Sequence, residues 1–290
     1  MINWEQIATL VVSAAAGGAI NAVAGGGTLL TFPALLWAGQ RAIAANATST
    51  VALLPGIVSS FWGYRREVAS LRRVVLLLTI PSLLGGIVGA VLLLNTDPNT
   101  FDAIVPYLIL LATGIFIVQE PLSRWQKRLG QKEVANIEVF HTDESHAEAT
   151  EKETPEKETI EKSFGHSATP TRIALVVISQ LAIGVYGGYF GAGIGILMLA
   201  AYAMLGFTNI HQANAVKVIN SGCINCIAAV LFIIKGLVDW RLAGVMAIGA
   251  IFGGYAGAGI AQRLGQRNVR RLIITIGLVL AASLLLKQYL

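Results

Sequence analysis

Lys217 is the only charged side chain lying well inside one of this chain's long apolar segments. A lysine at that depth costs several kcal/mol unless it is solvated or paired, so it is a functional candidate by default. Asn214, Lys217, Ser221 and Asn225 follow at i, i+3, i+7 and i+11, which is one face of a helix; Asn220 falls off it. A cation flanked by amides and hydroxyls, in a medium of low dielectric, is suited to hold a small anion. The competing readings are snorkelling of Lys217 toward the interface and plain interhelical hydrogen bonding by the Asn and Ser side chains.

A second group of residues offers backbone chemistry. "NAVAGGGTLLTFP", Asn21 to Pro33, interrupts an apolar run in which Ile7 to Trp37 carries no charged side chain. Glycine and proline are poor helix formers, so the run predicts a broken helix. In lipid an unpaired amide is tolerated only where it faces protein or a water-filled cavity. Helix amino termini present free N–H groups and partial positive charge, which favour anions. "AGGGTLL" and "GAGIGIL" (Gly191 to Leu197) are therefore candidate anion cradles. The candidate substrate-binding residues are Asn21, Gly25, Gly26, Gly27, Thr28, Asn46, Thr48, Ser49, Gly193, Asn214, Lys217 and Ser221. Close packing of helices on small residues is the alternative for each glycine.

These residues sit in a chain of 290 residues, 55% hydrophobic and 13% charged, with a formal charge of +5. Apolar runs of ~20 residues read as membrane-spanning helices. They cover roughly 42–64, 71–94, 101–119, 212–234, 242–262 and 269–288, beside two glycine-broken regions at about 5–38 and 172–206. The basic residues flank these segments, as membrane topology requires, so the positive charge needs no nucleic acid. The start, "MINWEQIATL", lacks the basic region of a signal peptide. Pro121 to Pro170 is polar, with "EKETPEKETIEK" within it. It cannot bury enough apolar surface to offset its ordering entropy and reads as a solvated linker. His141, His146 and His166 fall there without metal-ligand spacing. Cys223 and Cys226 spell CxxC outside the βαβ context of thiol redox chemistry and read as small packing residues.

The two halves repeat. At an offset of 167, Gly17, Gly26, Leu30, Ala34 and Gly39 meet Gly184, Gly193, Leu197, Ala201 and Gly206. At 168, "ANA" (Ala45 to Ala47) meets Ala213 to Ala215, Arg73 meets Arg241, and Gly85 to Ala90 meets Gly253 to Ala258. Loop charge sets relative orientation, because Lys and Arg favour the cytoplasm. Loop 65–73 has four arginines and its equivalent 235–241 has only Lys235 and Arg241; loop 95–100 has no base and its equivalent 263–271 has four arginines. The reversal implies inverted repeats, a transporter feature with the site near the midplane. It also requires each broken region to start and end on one side, as two crossings or a re-entrant hairpin.

The chain resembles the sulfite exporter TauE/SafE family, also called the toluene sulfonate uptake permeases. The resemblance rests on "GGAINAVAGGGTLLTFPALL" (Gly17 to Leu36), "ANATSTVALLPG" (Ala45 to Gly56), and the echoes "GAGIGILMLAAYAMLG" and "QANAVKVINS". "GLVDWRLA" (Gly236 to Ala243) and "GAIFGGYAGAGIA" (Gly249 to Ala261) add to it. It covers nearly the whole chain except the linker, which is longer than the family pattern implies. It implies transport of sulfur-containing anions such as sulfite or organosulfonates, without naming the substrate.

The expectation is an all-α integral membrane protein of two inverted repeats, with about 8–10 membrane segments. Residues 1–120 form the first repeat, 121–170 a cytoplasmic charged linker and 171–290 the second repeat. The expected partners are a small anion and the lipid bilayer, with no nucleic acid, cofactor or metal; a homo-oligomer is compatible. The expected place is the bacterial inner membrane, with both termini outside. An anion channel, or an importer of another small anion, is the alternative. An intramembrane enzyme would need a nucleophile, base or metal set, and no histidine cluster or interior carboxylate supplies one.

Overall fold

The computed structural model describes residues 3–23, 25–118, 170–204, 210–264 and 266–289. The linker with its three histidines lies outside the described residues, save Pro170, which opens a helix. The described chain forms ten helices: α1 (Trp4–Val23), α2 (Thr28–Trp37), α3 (Ala42–Ser70), α4 (Arg72–Leu94), α5 (Pro98–Val118), α6 (Pro170–Tyr189), α7 (Ile194–Met204), α8 (Ile210–Ile234), α9 (Trp240–Leu264) and α10 (Gln266–Tyr289). The segments Ala42–Phe61, Arg72–Leu94, Pro98–Val118 and Gln212–Ile234 are long and apolar enough to cross a membrane. Ile80, Ile178, Phe252 and Tyr255 stand exposed on the outer surface. Such side chains are suited to lipid, and in water they would form an aggregation-prone patch.

Helix ends differ from the apolar boundaries read in the sequence. α3 continues to Ser70, so Arg65 and Arg66 lie on a helix, not in a loop, and only Leu71 separates α3 from α4. The 263–271 stretch is likewise helical up to Leu264 and again from Gln266. Arg, Glu and Ala are good helix formers, and a helix leaving the hydrocarbon has no reason to stop where its apolarity does. Pro33, Pro55 and Pro81 sit inside α2, α3 and α4. Neighbouring helices can satisfy the carbonyls that such prolines free.

The halves are built alike. The starts of α3, α4 and α5 (Ala42, Arg72, Pro98) are followed 168 residues later by the starts of α8, α9 and α10 (Ile210, Trp240, Gln266). Their contacts are reciprocal: α1 packs chiefly on α9 and α4 on α6, while α3 also meets α9 and α4 meets α8. α3 and α8, equivalent to each other, touch directly. Each half therefore buries its first helix against the fourth helix of the other. Glycines make these seams. A Cβ at Gly253 would fall on the carbonyl of Ala15, and one at Gly89 on the carbonyl of Val185. Small residues let the backbones approach until dispersion contacts replace a hydrophobic driving force that lipid does not supply.

Candidate functional site

The chain breaks twice, between α1 and α2 and between α6 and α7. Gly25 has φ +70°, and Gly191 and Gly193 have φ +79° and +80°. This left-handed backbone is cheap only for glycine. After each break the short helix folds back: Gly17 of α1 lies against Gly27 and Thr31, and Gly187 of α6 lies against Ile194. α2 has 10 residues and α7 has 11. Each is about 15 Å long, half the thickness of the hydrocarbon core.

The two breaks meet. A Cβ on Gly25 would lie 2.5 Å from the Cα of Gly195, and one on Gly26 would lie 3.7 Å from the Cα of Gly193. The two sequence-predicted cradles therefore form one centre, with the amino termini of α2 and α7 converging on it. α5 covers this centre. The ring of Phe116 occupies the open side of Gly26, and Ala112 and Ile115 lie near Gly193. Among the described residues, the backbone N–H groups of Gly27, Thr28, Ala192, Gly193, Ile194 and Gly195 make no hydrogen bond. First-turn amides have no intrahelical partner and are free to bind a ligand.

The opposite helix ends hold side chains from the other half. Lys217, 1% exposed, places Nζ 3.3 Å from the carbonyl oxygen of Ala22, at the end of α1. Asn46, also 1% exposed, donates Nδ2 to the carbonyl of Tyr189, at the end of α6, at 3.1 Å. Ala22 and Tyr189 correspond at the offset of 167. Each break is thus held from across the interface by the third helix of the opposite repeat. The carboxyl end of a helix carries partial negative charge, which favours the Lys217 ammonium there.

Other predicted residues take distinct places. Asn21 accepts the N–H of Gly26 through Oδ1 at 3.3 Å and so pins the first break. Thr28 is buried at the start of α2. Ser49 and Thr31 share a hydrogen bond of 2.5 Å. The Asn214 side chain makes no hydrogen bond with the described residues, and its Oδ1 is buried. Ser221 bonds back to the carbonyl of Val218. Thr48 is directed away from the breaks: its hydroxyl accepts the N–H of Asp239, whose carboxylate in turn caps α9 through the N–H groups of Arg241 and Leu242. Gly195 falls in the second cradle, while Thr31, Phe116 and Tyr189 join the site only through the fold: Phe116 is one apolar residue in an apolar helix and carries no signal in the sequence. Cys223 is half-buried and Cys226 exposed on α8.

Residues 10–284 match the model described as "Sulfite exporter TauE/SafE". The chain belongs to the TauE/SafE family. A "Probable membrane transporter protein" of Haemophilus influenzae is 27% identical over 99% of this chain and 97% of its own length. "Probable membrane transporter protein YfcA" of Escherichia coli K12 is 26% identical over 98% of this chain and 91% of its own. A Sinorhizobium relative, "Probable membrane transporter protein ORF9", is also 26% identical over 98% of this chain and 94% of its own. No solved structure gives a significant match. This TauE/SafE chain is thus a multi-pass membrane transporter, and the matched stretch contains both breaks and Lys217.

Proposed function

We propose that this transporter exports small sulfur-containing anions, sulfite or an organosulfonate, bound where its two broken helices converge. The observation that carries the reading is the convergence itself: unbonded N–H groups from two helix amino termini meet in a buried centre flanked by Lys217. Charged oxygens are held by such donors without displacing another partner. Gly27, Thr28 and Gly193 supply unbonded N–H groups, Gly25 and Gly26 the close approach of the two breaks, Lys217 charge, and Asn46, Ser49 and Asn214 the lateral wall. The arginine reversal supports inverted repeats in a bacterial inner membrane, with the linker cytoplasmic and both termini outside. Alternating access then exchanges which half opens around a fixed centre.

Export of an anion down a potential that is negative inside gains ~2.3 kcal/mol per charge per 100 mV. A divalent anion gains twice that, roughly a thousandfold accumulation ratio. Uniport driven by the potential therefore suffices. The test uses the full chain in proteoliposomes with sulfite, sulfate, thiosulfate and simple sulfonates, under a potassium–valinomycin potential and no other gradient. Saturable flux of a sulfur anion that follows the potential is expected. Flux of none of them, or flux that follows only a proton or sodium gradient, overturns the substrate class or the uniport mechanism respectively.

A further inference from the structure

We infer that the anion this centre takes carries a hydrogen-bond donor of its own: a protonated oxyanion such as hydrogensulfite, or a sulfonate bearing N–H or O–H. The inference rests on the reading that the breaks hold an anion, and it narrows the chemistry of that anion.

The centre presents two kinds of group. The N–H groups of α2 and α7, with Lys217, call for oxygen acceptors. Two side-chain oxygens call for the opposite. Asn46 Oδ1 and Asn214 Oδ1 are both buried, and neither has a hydrogen-bond partner among the described residues. They are equivalent positions of the two repeats. The orientation of the Asn46 amide is fixed, because its Nδ2 is needed as donor to the Tyr189 carbonyl. Its free atom is therefore the acceptor, since only the nitrogen could serve the carbonyl. Asn214 lies one helical turn before Lys217 on the same face, and Lys217 reaches the end of α1.

A buried amide oxygen left unbonded is costly, and a fully deprotonated oxyanion makes matters worse by bringing only further acceptors. A ligand that points oxygens at the amides and Lys217, and an N–H or O–H at the asparagines, satisfies both sets. A metal cation would also satisfy amide oxygens. The Lys217 ammonium one turn from Asn214 opposes a second positive charge there, so a neutral donor group on the anion fits better. Sites that hydrogen-bond a substrate's polar group discriminate strongly against the analogue lacking it.

Sulfamate and methanesulfonate make the test. They share one negative charge and nearly the same size, and differ in an amino group against a methyl group. Uptake of each into proteoliposomes of the full chain is measured under one imposed potential, in the presence and absence of sodium. Sulfamate is expected to be preferred by about tenfold or more. The ratio should fall toward one in Asn214→Leu, a change that removes no hydrogen bond made within the described residues. The wild-type ratio decides the matter even if the variant does not fold. Equal uptake of the two anions overturns the inference and leaves the anion reading standing. A preference that exists only with sodium assigns the asparagine oxygens to a cation and also overturns it. Uptake of neither anion overturns both.

Discussion

The two halves share a scaffold and differ in their lining. Equivalent helices exchange partners across the interface, and equivalent glycine stretches make the α1–α9 and α4–α6 seams. The polar side chains, by contrast, are unequal. Across one α4 interface, Thr79 of the first half donates to Asn220, Asn220 donates to Tyr202, and Gln180 donates to Ser82 of the first half. The equivalent positions in the opposite repeats are Ala247, Ala52, Leu35, Ser13 and Ala250, so the other interface has no such network among the described residues. Where the first half pairs Ser49 with Thr31, the second has Lys217 and Met198. Met198 offers Lys217 no strong hydrogen bond, and the lysine reaches across to Ala22. Packing is therefore kept two-sided, while charge is supplied from one side only. One cation suffices for the single small anion proposed above.

The seams should break with the largest effect. Gly89→Val and Gly253→Val each drive a branched side chain into a facing backbone carbonyl. Both are expected to destabilise by more than about 3 kcal/mol and to abolish monodisperse protein in detergent. Gly244→Val, with open space at its Cβ, should retain it. If only one seam variant fails, the reciprocal packing is wrong.

The one-sided charge gives the next effect. Lys217→Met removes a charge-assisted interaction, and flux in proteoliposomes should drop by about tenfold to a hundredfold. The melting temperature should hold or rise, because an apolar residue of similar length replaces a buried charge. Wild-type affinity for the transported anion in this variant would remove Lys217 from the site.

The two breaks should then separate from each other. Gly26→Ala sets a methyl group against the ring of Phe116, an overpacking of about 2 kcal/mol. Phe116→Ala in the same chain should relieve most of that in a double-mutant cycle read by thermal unfolding. Gly193→Ala has space but a positive φ, and should cost about 1 kcal/mol with no rescue by Phe116→Ala. Equal rescue of both would show that Phe116 does not cover the first break specifically.

Gln180→Leu is expected to have the smallest effect, within about 1 kcal/mol in thermal unfolding. It removes the side-chain contacts of Gln180 with Ser82 and Tyr202 together with a buried oxygen that has no partner among the described residues. A loss of several kcal/mol would mean that the network joining α4 to the second half supports the fold as a unit.

Read alone, the amino-acid sequence determined the membrane class, both helix breaks, the repeat and the isolated Lys217. Those features are local: apolar run length, glycine content and charge position act on the residues that carry them. The tertiary structure decided what faces what. Gly25 against Gly195, Phe116 over Gly26, Thr48 at the start of α9 and Lys217 on the Ala22 carbonyl each join segments distant in the chain. Small residues line several faces of these helices, and any of those faces permits close approach. In lipid no difference in hydrophobicity selects among them. Only the shape and hydrogen bonding of the assembled helices select the partner.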